Sequence, residues 1–385
     1  MSRLLRPPKV RLPEELVESL WRMNPWWAGN PLPALPVTRR HLVQQIHLRL
    51  KRRLAPAVVV RGPRQIGKTT AQLHVLQDLL DSGVPPRNIF RVQADELTEI
   101  EAFSEPILRL VDWYEQEILG QTLNRAAHQG QPTYLLFDEV QNLRNWAPRV
   151  KLLVDHSTTQ VLITGSSALR IELGRDSLAG RITTIEAGVL SLTEIAAFRG
   201  IDLGKPFLAD NGLAPLTQQE FWRELVAHGR RLAEPRDLVF QFFSERGGFP
   251  LAHQQVDAEC PESIPIGPQA ITLAPQSEIL AGRRAKIVTE ATLSTIPYLR
   301  VSHLPARRDQ PEIDFILNIG AKRIPLEVKY RRRIDPLRDT EFLRSFVENS
   351  VNEAPFGILV SLTDTDEVVD PRIVTLPLST LMLLR

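Results

Sequence analysis

The residues from Gly62 to Thr69 have the types and the spacing that chemistry on phosphates requires. They read GPRQIGKT and fit the pattern G-x-x-x-x-G-K-[ST] without a mismatch. Glycines let the backbone turn so that its N–H groups can face anionic oxygens. We expect Lys68 to reach the terminal phosphates and the Thr69 hydroxyl to coordinate Mg²⁺. The pattern predicts that a nucleoside triphosphate is bound by Gly62, Pro63, Arg64, Gln65, Ile66, Gly67, Lys68, Thr69 and Thr70.

A strand and a helix are predicted on either side of this loop. The residues Ala57–Val60 before it are apolar and mostly β-branched, which favours a buried strand. The residues from Thr70 onward are predicted to form a helix, whose positive dipole end would face the same phosphates. Strand, loop and helix therefore follow one another in the order that a phosphate-binding loop needs.

Two acidic residues, Asp138 and Glu139, follow an apolar strand predicted at Thr133–Phe137. At the carboxyl end of a parallel strand, Asp138 would hold the Mg²⁺ directly or through water. Glu139 could act as the general base that polarises the attacking water. A further strand, predicted at 88–92, separates the two motifs in the sequence. This arrangement is typical of phosphate-loop ATPases that have an inserted strand and an acidic base.

Two more candidates follow the next predicted strand, at 161–164. The hydroxyl of Ser166, in the run TGSS at 164–167, could contact the terminal phosphate or could cap a helix. Arg181 precedes a last strand predicted at 182–185. It could stabilise transition-state charge in its own or a neighbouring subunit, or be one of many surface arginines. The sequence leaves both alternatives open.

The C-terminal part of the chain carries a separate set of charged residues. Two strands joined by a short turn are predicted there, at 312–317 and 324–330. Asp314 lies on the first strand, and Glu327 and Lys329 share one face of the second, so both can point towards Asp314. The carboxylates of Asp314 and Glu327 could bind Mg²⁺, with Lys329 orienting a water or stabilising phosphate charge. Glu290 could be a third acid.

Composition restricts the partners less than the motifs do. Lys and Arg number 47 against 45 Asp and Glu, for a net charge of +2, so no global field favours nucleic acid. The arginines at 307–308 and 331–333 could follow a nucleic-acid backbone or form a solvated basic face. The single cysteine excludes an internal disulfide and fits a reducing cytoplasm. No apolar run approaches the roughly 18 residues that span a bilayer, so we expect a cytoplasmic protein.

The chain resembles the AAA+ group of prokaryotic ATPases that carry a restriction-endonuclease-like C-terminal domain of unknown role. The resemblance rests on NPWW at 24–27, GPRQIGKTT at 62–70, DEVQ at 138–141 with Trp146, TGSS at 164–167, LAGR at 178–181 and GGFP at 247–250. It implies an α/β fold: a P-loop AAA+ parallel sheet flanked by helices, and a smaller C-terminal α/β domain. It also implies that ATP is bound with Mg²⁺ and hydrolysed. Asp314, Glu327 and Lys329 match the D…E-x-K set of restriction-endonuclease-like nucleases.

Five regions are predicted on this basis: an N-terminal arm (1–39), an AAA+ core (40–200), a helical extension (201–250), a linker (251–284) and a nuclease-like domain (285–385). Relatives usually carry a winged-helix-type segment where this chain has only the loop-like residues 251–280. Because that segment would be the part to touch DNA, the implied link to nucleic acid is weak. ATP hydrolysis would drive or gate the C-terminal domain. The alternatives are a switch that binds ATP without hydrolysing it and an ATP-gated, metal-dependent DNA nuclease. A protein partner or a second copy of the chain is left open.

Further elements are predicted from apolar periodicity and capping residues. They are helices at 14–22, 40–54, 103–128, 146–156, 218–245, from about 285, and at 336–349, a capping box at 191–194, and a strand at 356–362.

Overall fold

The computed structural model describes most of the chain and divides it into two compact units, Met1–Ala187 and Gly188–Arg385. The residues it describes are 9–52, 55–97, 100, 103–165, 180–208, 212–254, 278–305, 312–331, 333–364 and 370–385. Ser166 and most of the linker predicted at 251–284 lie outside this part of the chain. Among the described residues, no helix is both long and apolar enough to cross a membrane.

The first unit is built on a sheet of five parallel strands. They are β1 (Ala57–Arg61), β2 (Ile89–Gln93), β3 (Thr133–Asp138), β4 (Thr159–Gly165) and β5 (Ile182–Glu186). Their order across the sheet is β2-β3-β4-β1-β5. Nearly all residues of β1 to β4 are buried, as expected of a parallel sheet flanked by helices. The predicted strands are confirmed, with ends displaced by no more than about two residues.

Helices accompany this sheet along the described part of the first unit. They are α1 (Glu14–Met23), α2 (His41–Arg52), α3 (Lys68–Asp81), α4 (Pro106–Tyr114), α5 (Leu123–His128) and α6 (Trp146–His156). The single helix predicted over 103–128 is wrong. After α4 the backbone continues as a π-helical segment, Glu115–Leu119, which ends at Gly120 with a φ of 70°. Glycine adopts this left-handed conformation without strain, so the chain turns there before α5.

The order of the strands brings the two predicted motifs to one edge of the sheet. β1 leads into residues 62–67 and lies next to β4, and β4 lies next to β3, which ends in Asp138. Because both motifs follow the carboxyl ends of parallel strands, they emerge on the same side. β2, which separates the motifs in the sequence, lies at the outer edge of the sheet beyond β3. The strand inserted between them in space is β4.

The outer edge of β2 is covered by the segment around Asn24. The buried side-chain amide of Asn24 donates to the carbonyl oxygen of Arg91 at 2.9 Å and accepts from its N–H at 2.8 Å. The indole N–H groups of Trp26 and Trp27 both donate to the carbonyl oxygen of Ile89, at 3.1 and 2.9 Å. These side chains satisfy backbone groups that an edge strand would otherwise leave unpaired. The segment therefore takes the place of a further strand.

The second unit is built on a mixed sheet of five strands. They are β6 (Arg300–Leu304), β7 (Ile313–Ile319), β8 (Lys322–Lys329), β9 (Gly357–Ser361) and β10 (Ile373–Pro377). Their order is β10-β9-β8-β7-β6; neighbours from β6 to β8 are antiparallel, and those from β8 to β10 are parallel. The predictions of β7, β8 and β9 are confirmed, whereas β6 and β10 were not predicted.

The described helices of the second unit are α7 (Leu192–Phe198), α8 (Gln219–Arg231), α9 (Ala233–Arg246), α10 (Pro250–Gln254), α11 (Glu278–Ser294), α12 (Glu341–Glu348) and α13 (Leu378–Leu381). The predicted capping box at Ser191 and Glu194 is confirmed. The single helix predicted over 218–245 is wrong, because the helix is interrupted at Leu232 and forms two separate helices, α8 and α9. Pro235 follows in the first turn of α9, where its missing N–H leaves no hydrogen bond unmade.

Candidate functional site

The loop between β1 and α3 has the shape that its glycines allow. Gly67 is the N-cap of α3 and has a φ of 83°, a left-handed conformation that favours glycine. At Gly62, a Cβ atom would collide with the carbonyl oxygen of Ala187. Ile66 is fully buried and anchors the loop. The N-terminus of α3, a helix of 14 residues, therefore opens beside a closely packed turn, as anion binding requires.

Lys68 is buried and turned back over the loop. Its amino group donates to the carbonyl oxygens of Gly62 at 3.0 Å and Pro63 at 2.5 Å. Burial lowers the pKa of Lys68, and the charges of Glu139 and Asp138 act in the opposite direction. Only β4 separates β1 from β3 in the sheet, so the loop and the two acids emerge at the same edge, where the charges of both acids act on Lys68. The motifs predicted to form one site do come together.

Asp138 is held in place by several donors. Its side chain is 1% exposed. The Thr164 hydroxyl on β4 and the N–H of Glu139, at 3.2 Å, both donate to Oδ1. The guanidinium of Arg91 lies 3.5 Å from Oδ2. The carboxylate is therefore an oriented group at the carboxyl end of β3, as a ligand for a divalent cation should be.

Glu139 begins the turn that follows β3. It is the N-cap of a short 3-10 helix and has a φ of 49°, an uncommon conformation for a residue with a side chain. Oε2 accepts a hydrogen bond from the side-chain amide of Gln141. The backbone therefore turns at Glu139 directly after β3, and the hydrogen bond from Gln141 holds the carboxylate, whose charge acts on Lys68.

Four residues of the site were not assigned a role from the sequence alone. They are Arg40, Arg91, Gln141 and Thr164. Arg40 donates to the carbonyl oxygen of Ile66 at 2.5 Å. Arg91 interrupts the apolar strand β2. A charged residue within a buried strand is uncommon, so the sequence offered a signal that Arg91 belongs to a functional site. Thr164 belongs to the run TGSS, in which the predicted phosphate contact was assigned to Ser166 and not to Thr164.

Arg181 does not lie at the phosphate loop of its own chain. Its carbonyl oxygen accepts a hydrogen bond from the N–H of Ala57 at 3.2 Å, and its side chain pairs with Asp155. It precedes β5, so it lies at the amino ends of the parallel strands, whereas Gly62 follows the carboxyl end of β1. A strand of five residues is about 16 Å long. The structure therefore places Arg181 away from the phosphate loop of its own subunit, and its role in catalysis stays a prediction.

The C-terminal candidates Asp314, Glu327 and Lys329 do come together. Phe315 and Leu326 are paired across β7 and β8, which places Asp314 opposite Glu327. Oδ2 of Asp314 accepts from the N–H of Val328 at 2.9 Å, and Nζ of Lys329 lies 3.3 Å from Oε2 of Glu327. Burial, assisted by the charge of Asp314, raises the pKa of Glu327 to about 7, although Lys329 opposes this.

Glu290 does not complete a metal site with these residues. Its carboxylate lies 3.6 Å from Nε2 of His303, whose Nδ1 is 2.7 Å from the carbonyl oxygen of Asp314. Lys286, one turn before Glu290 on α11, forms an ion pair with the Asp314 side chain and was not predicted. Within the described part of the chain, no three His, Cys, Asp or Glu residues are placed to hold a metal ion.

The basic clusters flanking this sheet are only partly described. Arg331 pairs with Asp339, which also accepts a hydrogen bond from the N–H of Asp335 at 2.8 Å. The arginines at 307, 308 and 332 lie outside the described residues. The pairing of Arg331 gives its positive charge a structural partner.

Comparison with known proteins identifies the class of the first site. Residues 55–196 match a family model described as an AAA domain. This range includes the loop 62–69, the acids Asp138 and Glu139, and all five strands of the parallel sheet. No curated protein matches the chain. Together with the parallel sheet, the match indicates a nucleotide-binding domain of the AAA-like P-loop ATPase type.

Proposed function

We propose that this protein is a Mg²⁺-dependent ATPase whose reaction takes place at the loop 62–69. One observation carries the proposal: Lys68 at the start of α3 and the acids Asp138 and Glu139 converge at one edge of a parallel sheet. The match to an AAA domain supports ATP as the nucleotide. The close packing of Gly62 against Ala187 requires glycine at the start of the loop, and it fixes the path of the backbone towards the N-terminus of α3, where a phosphate would bind.

Each residue has a role that follows from its place. The backbone N–H groups of the loop and the N-terminus of α3 bind the phosphates, and Lys68 exchanges its loop carbonyl partners for phosphate oxygens. Thr69 and Asp138 would hold Mg²⁺, which supplies charge neutralisation on the phosphates when bound. Glu139, oriented by Gln141, accepts a proton from the attacking water.

The test is a Glu139→Gln variant assayed for phosphate release and for ATP affinity. We expect phosphate release to fall by about 10²- to 10⁴-fold, the usual contribution of a general base, while ATP affinity is retained. Lys68→Ala should instead weaken ATP binding. Glu18→Gln, an exposed carboxylate on α1, is the matched control and should change neither quantity.

The same measurement decides between the ATPase and a switch that only binds ATP. If wild type and Glu139→Gln release phosphate equally slowly while binding ATP equally well, the general-base role is wrong and the switch is favoured. ATP hydrolysis measured with and without DNA, at several protein concentrations, tests the remaining partners. Specific activity, the rate per mole of protein, that rises with protein concentration would indicate a site completed by a neighbouring subunit, where Arg181 could act in trans.

A second candidate function belongs to the C-terminal unit. The contact of Asp314 with Glu327, and of Lys329 with Glu327, supports a restriction-endonuclease-like domain that ATP hydrolysis drives or gates. In this proposal Asp314 and Glu327 are the Mg²⁺ ligands and Lys329 stabilises phosphate charge. The ion pair of Lys286 with Asp314 opposes metal binding. DNA cleavage is therefore the second candidate function, after ATP hydrolysis. The proposed organisation of the chain remains the five predicted regions.

A further inference from the structure

Arg91 is a buried cation beside the candidate magnesium ligand. It lies on β2 and is 5% exposed. Its guanidinium donates from Nε to Oε1 of Gln72 at 3.0 Å and from Nη2 to Oε1 of Gln93 at 2.7 Å, and Nη2 lies 3.5 Å from Oδ2 of Asp138. Gln72 lies on α3, one turn after Lys68. One side chain therefore contacts both the helix that carries Thr69 and the strand end that carries Asp138.

The backbone of Arg91 is held from the opposite side by Asn24. The Asn24 amide pairs with both the N–H and the carbonyl oxygen of Arg91, as a neighbouring strand would. A third hydrogen bond, from Nδ2 of Asn24 to the carbonyl oxygen of Leu20 at 2.8 Å, ties the amide to α1. The NPWW segment thus fixes the strand position from which the guanidinium reaches Asp138.

The groups around the Asp138 carboxylate indicate the role of Arg91. Oδ1 of Asp138 already accepts from Thr164 and from the N–H of Glu139, and Oδ2 faces Arg91. A buried carboxylate needs a charge partner, because it cannot be stabilised by water. Arg91 provides that partner within the chain itself. Burial lowers the pKa of Arg91, and Asp138 is the largest of the charges that oppose this effect.

We propose that Arg91, positioned by Asn24, is a counter-ion within the chain that neutralises the negative charge of Asp138 before Mg²⁺ binds. Arg91 therefore competes with the metal for the Asp138 carboxylate. The inference rests on the proposed Mg²⁺-dependent ATPase site and adds an element that sets its metal affinity. Arg91 acts through Asp138, so it is a positioning residue. A guanidinium serving only as packing would affect folding and leave the metal affinity unchanged.

The test measures the Mg²⁺ concentration that half-saturates binding of a fluorescent ADP analogue at pH 8. We expect Arg91→Met to lower this concentration about tenfold, the scale of one charge interaction in a partly desolvated site. Arg91→Lys retains the charge and should lie closer to wild type. Asn24→Ala, which frees the backbone but keeps the guanidinium, should shift the value in the same direction by less.

Arg236 offers a matched control, because it is a buried arginine paired with Asp237 and Asp364 in the second unit. Arg236→Met should leave the Mg²⁺ concentration unchanged. An unchanged or raised value in a folded Arg91→Met protein would overturn the inference. If Arg91→Met does not fold, Asn24→Ala decides instead, because an unchanged or raised Mg²⁺ concentration in that folded variant would also overturn the inference. If the wild-type protein bound the ADP analogue equally well with and without Mg²⁺, the proposed Mg²⁺-dependent function itself would be refuted.

Discussion

Replacing Asn24 with alanine should destabilise the first unit, because this side chain replaces a strand at the edge of the sheet. Three hydrogen bonds would be lost: two with the backbone of Arg91, at 2.9 and 2.8 Å, and one to the carbonyl oxygen of Leu20 at 2.8 Å. Asn24 is fully buried, so water cannot readily replace the missing amide. The N–H and the carbonyl oxygen of Arg91 would be left unpaired.

The size of the effect follows from these contacts. At about 1 kcal/mol for each hydrogen bond, the loss in the free energy of unfolding is about 3 kcal/mol. For a unit of 187 residues, this lowers the melting temperature by about 6–12 °C. Asn24→Asp should be no better, because it keeps the acceptor for the N–H of Arg91 but loses both donated bonds and buries a charge.

Urea unfolding followed by tryptophan fluorescence is a suitable assay. The first unit contains five of the six tryptophans, including Trp26 and Trp27 at the covered edge, so the fluorescence reports mainly on that unit. Asn30→Ala, at an exposed position six residues further on, is the control and should change the free energy of unfolding by less than about 0.5 kcal/mol. If Asn24→Ala were as stable as this control, the covered edge would not contribute to stability and the reasoning would be refuted.

Two predictions concern the C-terminal unit. If its acids form a nuclease site, wild type should cleave plasmid DNA with Mg²⁺ or Mn²⁺, and Asp314→Asn, which keeps an acceptor for the N–H of Val328, should not; lack of cleavage by wild type would remove this function. The pKa of Glu327 is raised from 4.5 to about 7, so the folded state favours the protonated carboxyl. The contribution of Glu327 to the free energy of unfolding should therefore fall as the pH rises from 4.5 to about 7 and then level off. When unfolding in urea is followed by circular dichroism, the difference in free energy between wild type and Glu327→Gln should show this fall, and an identical pH profile for both proteins would contradict it.

The parts of the site that depend on local sequence could be predicted. The loop 62–69 needs glycines and a lysine at fixed spacing, and β3 needs an apolar run before its two acids. Both requirements are met within a few neighbouring residues. Strand boundaries followed from β-branched composition in the same way. The capping box at Ser191 is local as well, because its two hydrogen bonds join residues three apart.

The remaining parts depend on which strands become neighbours. Nothing near Arg91 in the sequence indicates that β2 lies beside β3, and only this pairing brings the guanidinium to Asp138. The sequence places Arg181 before a predicted last strand, but only the parallel pairing of β5 with β1 shows that it lies at the amino ends of the strands, away from the loop. β6 was missed because most of its residues are partly or fully exposed, so the alternation of a half-buried strand is absent.

Two of the three non-glycine positions with positive φ in the described part of the first unit lie at the proposed site, and the third, Asn145, precedes α6. Among the described residues, Gln65 and Glu139 are two of the five non-glycine positions with positive φ, at 63° and 49°. Each such position costs about 1 kcal/mol or more and persists only where the surrounding structure imposes it. One lies in the phosphate loop and the other carries the proposed general base, on turns that follow β1 and β3. Glycine would adopt either conformation without strain, so Gln65 and Glu139 keep their side chains at a cost to the free energy of folding.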